Sequence, residues 1–223
     1  MRIEDRLFLY ALVRGIKPQR ALETGVLRGG SSLIIANAME DNGTGRLVGI
    51  DPGALVQVPS RLFFGRFELL AEPSPQAIPR AVELLGGPLD FALIDDIHIY
   101  SQVYAELKAV LPFMAAEGYI LLHDAFNYGV HAAIEAFLAE ADTVRDCGIL
   151  SVSPQLQHDP WAAYGWMRLL RMLPPAGYVL RKVHEFYLAA QMPVPPSDPD
   201  IWDHDAWYCR SVKACPRCRR TAQ

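Results

Sequence analysis

The feature that most constrains the fold is a regular alternation of short apolar runs with longer segments of helical periodicity between residues 21 and 140. Glycine-rich turns separate these segments, for example Gly-Thr-Gly at 43–45 and Gly-Gly-Pro at 86–88. Strands that alternate with helices in this way pair in parallel, because each helix carries the chain back across the sheet. The sequence therefore predicts an α/β fold with a doubly wound sheet, whose ligands bind outside the carboxyl ends of the strands.

The predicted elements follow from the spacing of the apolar residues. Residues 3–15 have helical periodicity and predict an amphipathic packing helix that ends before Lys17 and Pro18. The predicted strands in the alternating part are 21–25, 46–51, 66–70, 89–95 and 119–124. The predicted helices between them, which we expect to cover both faces of the sheet, are 31–39, 78–85, 102–114 and 130–140.

The pattern weakens towards the C-terminus. Segments 142–152 and 164–172 predict two late strands that complete a seven-stranded, mostly parallel sheet with an antiparallel edge. The stretch 192–205 is too rich in proline and aspartate for regular structure. We therefore predict a domain at 1–172 and a C-terminal extension or arm at 173–223.

Charge and hydropathy limit the partners of the chain. The formal net charge is −4 for 223 residues and there is no long basic run, which argues against binding to nucleic acid through its phosphates. No apolar run approaches the roughly 20 residues that cross a bilayer, and the N-terminal stretch MRIEDRLFLYALVRG lacks the pattern of a signal peptide. We expect a cytoplasmic protein with reduced cysteines and a small-molecule ligand, without a membrane or nucleic-acid partner. The sequence does not determine the oligomeric state, and a homo-oligomer is one of the options.

A glycine-rich turn joins the first predicted strand to the next helix in ALETGVLRGGSS, residues 21–32. Gly29 and Gly30 allow the backbone to approach a ligand closely, and Ser31 or Ser32 is suited to cap the helix. Turns of this kind also occur for purely steric reasons. The spacing is not G-x-G-x-x-G, so the turn disfavours a dinucleotide.

A second candidate ligand contact lies at the end of the second predicted strand, where LVGIDPG delivers Asp51. A carboxylate at this place can accept hydrogen bonds from both ribose hydroxyls of a nucleoside. The alternative is that residues 51–53, Asp-Pro-Gly, form a simple turn.

Titratable side chains end the fourth and fifth predicted strands. Asp95, Asp96 and His98 follow one strand in LIDDIHIY, and His123 and Asp124 follow the other in ILLHDAF. Carboxylates from adjacent strand ends suit a hard divalent cation such as Mg²⁺. Such a cation would lower the pKa of a substrate hydroxyl group that binds to it and would orient that group. A histidine can accept a proton near neutral pH, and His98 is the candidate base.

Each of these residues also has a plainer interpretation. Asp95 could contact a cofactor or cap a helix without a metal, and His98 could lie on a surface loop. His123 follows an apolar strand, which is more typical of a core histidine than of a ligand. Tyr100 and Tyr128 either line an acceptor pocket or belong to the core and rim.

The four motifs LETGVLRGGSS, LVGIDPG, LIDDIHIY and ILLHDAFNYGVHAAIEAF, taken together, resemble the class I S-adenosylmethionine-dependent methyltransferases. More narrowly, they resemble the branch that includes macrocin O-methyltransferase, cephalosporin hydroxylase-like proteins and catechol O-methyltransferase-like enzymes. The resemblance covers about residues 21–137. It implies a Rossmann-like fold, S-adenosylmethionine as cofactor, and methyl transfer to a hydroxyl of a small molecule such as a secondary metabolite or a sugar-bearing acceptor.

The resemblance also implies which residues surround the cofactor. Glu23 and Gly25 flank its methionine part, Ser31 holds its carboxylate, Asp51 binds the ribose and Ser74 lies on the adenine side. The full set of implied cofactor residues is Glu23, Thr24, Gly25, Gly29, Ser31, Asp51, Ser74 and Asp95.

For the metal, the resemblance implies Asp95 and Asp124 as ligands, with His98 as base. The divalent-cation-dependent members carry a second polar ligand directly after the fifth-strand aspartate, where this chain has Ala125. Asp96, His123 and Asn127 are the substitute ligands to consider, and the other option is that His98 works without a metal. A non-methylating or catalytically altered relative and a nicotinamide-nucleotide-binding protein remain the alternative functions.

The C-terminal tail contains a possible zinc site. His204, Cys209, Cys215 and Cys218 have the spacing H-x4-C-x5-C-x2-C, and the final pair has the tight spacing of zinc knuckles. These residues bind a structural Zn²⁺ in one interpretation, and in the other the cysteines are free thiols on a basic tail.

Overall fold

The computed structural model describes residues 1, 3–125, 127–149 and 167–172. Its helices are α1 (Ile3–Ile16), α2 (Gly30–Asp41), α3 (Ile78–Leu85), α4 (Tyr100–Val110) and α5 (Tyr128–Glu140), with short 3-10 helices at Ser60–Phe63 and Leu111–Phe113. Its strands are β1 (Arg20–Thr24), β2 (Arg46–Ile50), β3 (Phe67–Leu70), β4 (Leu89–Ile94), β5 (Met114–Leu122), β6 (Val144–Ile149) and β7 (Arg168–Met172).

The strands form one seven-stranded sheet in the order β3-β2-β1-β4-β5-β7-β6. Strands β1 to β5 pair in parallel, and β7 is antiparallel to both β5 and β6. The chain runs from β1 outwards to β3 and then returns to the other side of β1 with β4, so the direction of winding reverses between β1 and β4. The predicted doubly wound, mostly parallel sheet with an antiparallel edge is confirmed.

Alternate residues of the central strands face two separate cores, as a pleated strand requires. In β4, Phe91 and Leu93 pack in a cluster with residues of α1 and α2, while Ala92 and Ile94 pack with residues of α3, α4 and α5. Strands buried on both faces are apolar throughout, which explains why this part of the sequence has continuous apolar runs.

The structure corrects the predicted end of α4 and the predicted start of β5. Strand β5 begins at Met114, five residues before the predicted start at 119, and α4 ends at Val110 instead of continuing to 114. Pro112 lacks a backbone N–H and ends the helical hydrogen bonding in a single 3-10 turn. The early part of β5 carries a register shift against β4 and a left-handed residue, Glu117 (φ 66°), so it lacks the regular pattern of a strand.

Strands β6 and β7 lie within the predicted late strands 142–152 and 164–172. Residues 150–166 and 173–223 lie outside the described residues. The predicted C-terminal extension and its candidate zinc ligands His204, Cys209, Cys215 and Cys218 therefore fall outside them as well. None of the helices in the described part of the chain is long and apolar enough to cross a membrane.

Candidate active site

The register of the parallel strands brings four strand ends to one edge of the sheet. Thr24 pairs with Ile50 of β2 and with Ile94 of β4, and Ile94 in turn pairs with Leu122 of β5. The residues that follow these four strands carry the side chains identified in the sequence. The candidate site therefore lies across the switch point between β1 and β4.

The turn after β1 depends on two glycines. Gly25 has φ 81°, and a Cβ atom at this position would lie 2.2 Å from the backbone oxygen of Asp95. Gly29 also has φ 81° and is the N-cap residue of α2, without a side-chain hydrogen bond to the helix. The turn lies directly against the end of β4, which leaves no space for a side chain at Gly25. Both positions also favour glycine because residues with a side chain rarely adopt this conformation.

The serines of this turn do not cap α2, and the prediction that Ser31 or Ser32 does so is wrong. Both hydroxyls instead donate hydrogen bonds to Glu23, one to each carboxylate oxygen. Glu23 is fully buried at the end of β1. Burial raises the pKa of its carboxyl to about 7, although the two serine hydroxyls oppose this shift. The buried carboxyl explains the orientation of the serines, since it needs donors that the apolar surroundings lack.

Asp51 connects the loops at the end of β2. Its Oδ2 atom accepts a hydrogen bond from the backbone N–H of Leu27 at 2.7 Å, and its Oδ1 atom accepts one from Gly53 at 2.7 Å. The turn interpretation and the ligand interpretation of this residue are compatible, because each carboxylate oxygen can accept a further hydrogen bond.

A second buried polar group lies where α4 packs beside the ends of β1 and β4. The side-chain amide of Gln102 is 2.9 Å from the backbone oxygen of Ser74, 3.1 Å from Oδ2 of Asp96 and 3.3 Å from Oε1 of Glu106. Glu106 is fully buried, and burial raises the pKa of its carboxyl to about 8. Burial also raises the pKa of Asp96. Asp96 therefore belongs to this group beside the loop of Ser74.

The remaining titratable side chains converge in what we call the His–Asp cluster: Asp95, His98, His123 and Asp124. Nδ1 of His123 is 3.1 Å from Oδ1 of Asp95 and 3.2 Å from Oδ2 of Asp124. Nε2 of His98 is 3.2 Å from the same Asp124 oxygen and 3.6 Å from the same Asp95 oxygen. One donor atom from each residue lies within 4.8 Å of all the others, which is the arrangement expected of a metal site.

The charges within the cluster compensate each other. Burial would raise the pKa of Asp95, but contacts with His123 and His98 outweigh this effect and lower it to about 2. Burial would lower the pKa of His123, but contacts with Asp124 and Asp95 raise it to about 10. The pKa of His98 is raised by the same two carboxylates, against the effect of its burial. Imidazole protons therefore balance the carboxylate charges inside the cluster.

The cluster contains the three residues that the sequence analysis combined, Asp95, His98 and Asp124. It also contains His123, for which the apolar strand indicated a core histidine. The side chain of His123 is buried, but its Nδ1 atom faces the two carboxylates. Asn127, another proposed substitute, accepts a hydrogen bond from the N–H of Gly129 as the N-cap of α5.

Sequence reasoning missed two buried acids, Asp5 and Glu106. Asp5 lies on α1, is 2% exposed, and its Oδ2 atom is 3.9 Å from Nε2 of His123. A signal was present in both cases: Asp5 precedes Leu9 by one helical turn, and Glu106 follows Val103 by three residues, so each acid interrupts the apolar face of its helix. Tyr100, a proposed pocket residue, stacks on Tyr104.

Residues 22–125 of the chain match the model of a family described as a methyltransferase domain. This segment of the chain is therefore similar to a methyltransferase domain. The resemblance to class I methyltransferases and the Rossmann-like fold that it implied are both confirmed, and the matched segment runs from β1 to the residue after the His–Asp cluster. No curated protein sequence matches the chain.

Solved structures share the fold of this chain. TomG, an O-methyltransferase from Streptomyces achromogenes involved in tomaymycin synthesis and solved with SAM, matches with a TM-score of 0.57 and 19% identity over 76% of this chain and 79% of its own. An O-methyltransferase from Bacillus cereus in complex with SAH matches with a TM-score of 0.58 and 16% identity over 77% of this chain and 82% of its own. CmcI with Mg-SAM matches with a TM-score of 0.52 and 16% identity over 77% of this chain and 72% of its own.

Proposed function

We propose that this protein is an S-adenosylmethionine-dependent O-methyltransferase that methylates a hydroxyl group of a small molecule, assisted by a divalent cation and by His98 as base. The observation that carries the proposal is the contact between the glycine turn and the His–Asp cluster. A Cβ atom on Gly25 would lie 2.2 Å from the backbone oxygen of Asp95, so the turn that suits a nucleoside cofactor adjoins the residues suited to proton transfer. A methyl donor and an acceptor hydroxyl could therefore meet at this edge of the sheet.

The cofactor half of the proposal uses the strand ends of β1 and β2. Asp51 would accept hydrogen bonds from the ribose hydroxyls, and the loop of Ser74 would lie beside the adenine. The hydroxyl of Ser31 donates a hydrogen bond to Glu23, so while this bond persists it can only accept hydrogen bonds from a ligand. Ser31 thus suits the ammonium group of the methionine part better than its carboxylate. TomG with SAM and the Bacillus cereus enzyme with SAH support this choice of cofactor.

The residues of the His–Asp cluster fit a divalent cation. Asp95 and Asp124 present carboxylate oxygens from the ends of adjacent strands, and CmcI with Mg-SAM is a relative in fold that contains a cation. When bound, such a cation would lower the pKa of the acceptor hydroxyl and orient it. Ala125 has no ligand atom, so any third protein ligand must come from another residue.

His98 is the better base of the two histidines. Its side chain is 25% exposed, whereas that of His123 is 7% exposed, so an acceptor molecule can reach His98 more easily. In the proposed reaction the acceptor oxygen bonds to the methyl carbon as the carbon–sulfur bond breaks. The electron pair of that bond would stay on sulfur, and the hydroxyl proton would pass to Nε2 of His98 in its neutral form.

The proposal is tested with the purified full chain, S-adenosylmethionine, a divalent cation and a panel of small hydroxyl acceptors. S-adenosylhomocysteine formation should fall about a hundredfold in His98→Ala, while the affinity for S-adenosylmethionine stays within about twofold. Ile97→Ala is the matched control, because Ile97 lies exposed on the same loop. Unchanged turnover in His98→Ala would exclude its role as base. Thermal stabilisation by NAD but not by S-adenosylmethionine would exclude the methyltransferase reaction.

A further inference from the structure

The His–Asp cluster contains a nitrogen donor that the proposed reaction does not use. We propose that the cation site is a mixed nitrogen and oxygen site, formed by Oδ1 of Asp95, Nδ1 of His123 and Oδ2 of Asp124, and that it prefers a first-row transition cation such as Mn²⁺ or Co²⁺ to Mg²⁺. This inference rests on the proposed function, because it names the cation of that site. Cation binding can nevertheless be measured without methyl transfer.

The surroundings of His123 are the first argument. The residue is more than nine-tenths buried, and neither of its ring nitrogens makes a hydrogen bond of good geometry to any of the described residues. Nδ1 nevertheless faces the carboxylates of Asp95 and Asp124. Buried polar atoms without a hydrogen bond are rare and indicate a missing partner, such as an ion. Here that partner would bind to Nδ1 and to both carboxylates.

The separations of the donor atoms are the second argument. Metal–ligand bonds of about 2.0–2.2 Å hold neighbouring ligand atoms about 3.0–3.5 Å apart. The two distances from Nδ1 of His123, 3.1 Å to Asp95 and 3.2 Å to Asp124, lie in this range. The two carboxylate oxygens lie within 4.8 Å of each other. Small movements of the side chains would therefore let the three atoms bind one cation.

The chemistry of the donors selects the cation. Mg²⁺ prefers oxygen ligands in a regular octahedron, whereas imidazole nitrogen suits transition cations, whose affinity rises from Mn²⁺ towards Cu²⁺. Ala125 contributes no oxygen after Asp124, and His123 precedes that aspartate with a nitrogen. The third protein ligand is thus a nitrogen, which weakens the site for Mg²⁺ relative to Mn²⁺ and Co²⁺.

The carboxyl group of Asp5 lies beside the other ring nitrogen of His123. It lies on the side of Nε2, at 3.9 Å, and favours the tautomer that carries its proton on that nitrogen. When a cation takes the place of the proton on Nδ1, the lone pair of that nitrogen is directed at the cluster. Carboxylates that orient a metal-binding histidine in this way are common in metalloproteins.

The test uses the full chain after removal of bound metals with a chelator, and isothermal titration with Mn²⁺, Co²⁺ and Mg²⁺ separately. We expect Mn²⁺ and Co²⁺ to bind at least about tenfold more tightly than Mg²⁺. Electron spin-echo spectroscopy of the Mn²⁺ complex should detect coupling to an imidazole nitrogen. In His123→Asp, an all-oxygen variant, the coupling should disappear and the preference over Mg²⁺ should fall about tenfold.

A matched variant, His98→Gln, should keep both the nitrogen coupling and the Mn²⁺ affinity, because His98 is assigned to proton transfer. Equal affinity for Mg²⁺ and Mn²⁺ in the parent chain, or a Mn²⁺ complex without nitrogen coupling, would overturn the inference. The parent measurement suffices even if His123→Asp does not fold. Nitrogen-coupled Mn²⁺ in a protein that forms no S-adenosylhomocysteine would leave this inference standing and contradict only the proposed function.

Discussion

The carboxylate of Asp5 on α1 lies 3.9 Å from Nε2 of His123, whose other ring nitrogen faces Asp95 and Asp124. The N-terminal helix therefore contributes a buried carboxyl group beside the His–Asp cluster, in addition to packing Leu9 and Val13 into the core. Because Asp5 and His123 are far apart in the sequence, this contact exists only in the folded protein.

Asp5→Asn should weaken cation binding because the orientation of the His123 ring is less strongly favoured. We expect the Mn²⁺ affinity measured by isothermal titration to fall about tenfold. Glu83→Gln on the exposed side of α3 is the control and should leave the affinity unchanged. A folded Asp5→Asn protein with the parent affinity would rule out a positioning role. The thermal midpoint, recorded beside the titration, separates loss of positioning from loss of structure.

Gly25→Ala should destabilise the protein, because the new methyl group would meet the backbone of Asp95 at 2.2 Å in a left-handed conformation. We expect the free energy of unfolding in urea to fall by about 2 kcal/mol or more. Gly30→Ala is the matched control in the same turn: a Cβ atom at Gly30 would have nothing within 4 Å, and the residue begins α2. That variant should keep or slightly raise the stability. Equal unfolding curves for the two variants would contradict the described turn.

Glu106→Gln should stabilise the protein more at pH 8 than at pH 5. The folded-state pKa of Glu106, about 8, lies above the ordinary glutamate value of 4.5 because the side chain is buried. Its protonated form therefore supports the fold below about pH 4.5, and this support is lost as the pH rises towards 8. Glutamine cannot ionise, so the stability difference should reach the order of a few kcal/mol at pH 8.

Urea unfolding of the parent and of Glu106→Gln at both pH values measures this difference. Glu23 ionises in the same range in both proteins, so its contribution cancels in the comparison. A pH-independent difference between the two proteins would show that Glu106 is already charged at pH 5.

Arg168→Met should be strongly destabilising, because it leaves Asp146 charged and buried. Nε of Arg168 donates to Oδ2 of Asp146 at 2.7 Å, and both residues are buried where β7 pairs with β6. We expect a loss of about 3–5 kcal/mol in the free energy of unfolding. The double variant Arg168→Met/Asp146→Asn should recover much of it.

The control for this prediction is Lys108→Met, which removes the exposed ion pair between Lys108 and Glu140. That change should leave the free energy of unfolding nearly unchanged, because solvent screens an exposed ion pair. A similarly small effect of Arg168→Met would mean that Asp146 finds another partner when the arginine is removed.

The sequence predicted most of the sheet, since strands buried on both faces are read directly from apolar runs. It predicted β5 poorly, because the first half of that strand contains a register shift and a left-handed glutamate. It also misassigned the serines of the β1–α2 turn. Ser31 and Ser32 have the composition of a helix cap, but a buried Glu23 competes for their hydroxyls.

The sequence by itself determined the succession of strands along the chain and the acids and histidines that follow them. It could do so because apolar periodicity and glycine turns are local properties of the chain. That order was enough to bring Asp51, Asp95, His98 and Asp124 to one edge of the sheet. Only the tertiary structure decided that Nδ1 of His123 faces two carboxylates and that Asp5 lies beside its other nitrogen. Such contacts join residues far apart in the chain, and their distances depend on how helices pack against the sheet rather than on any local pattern.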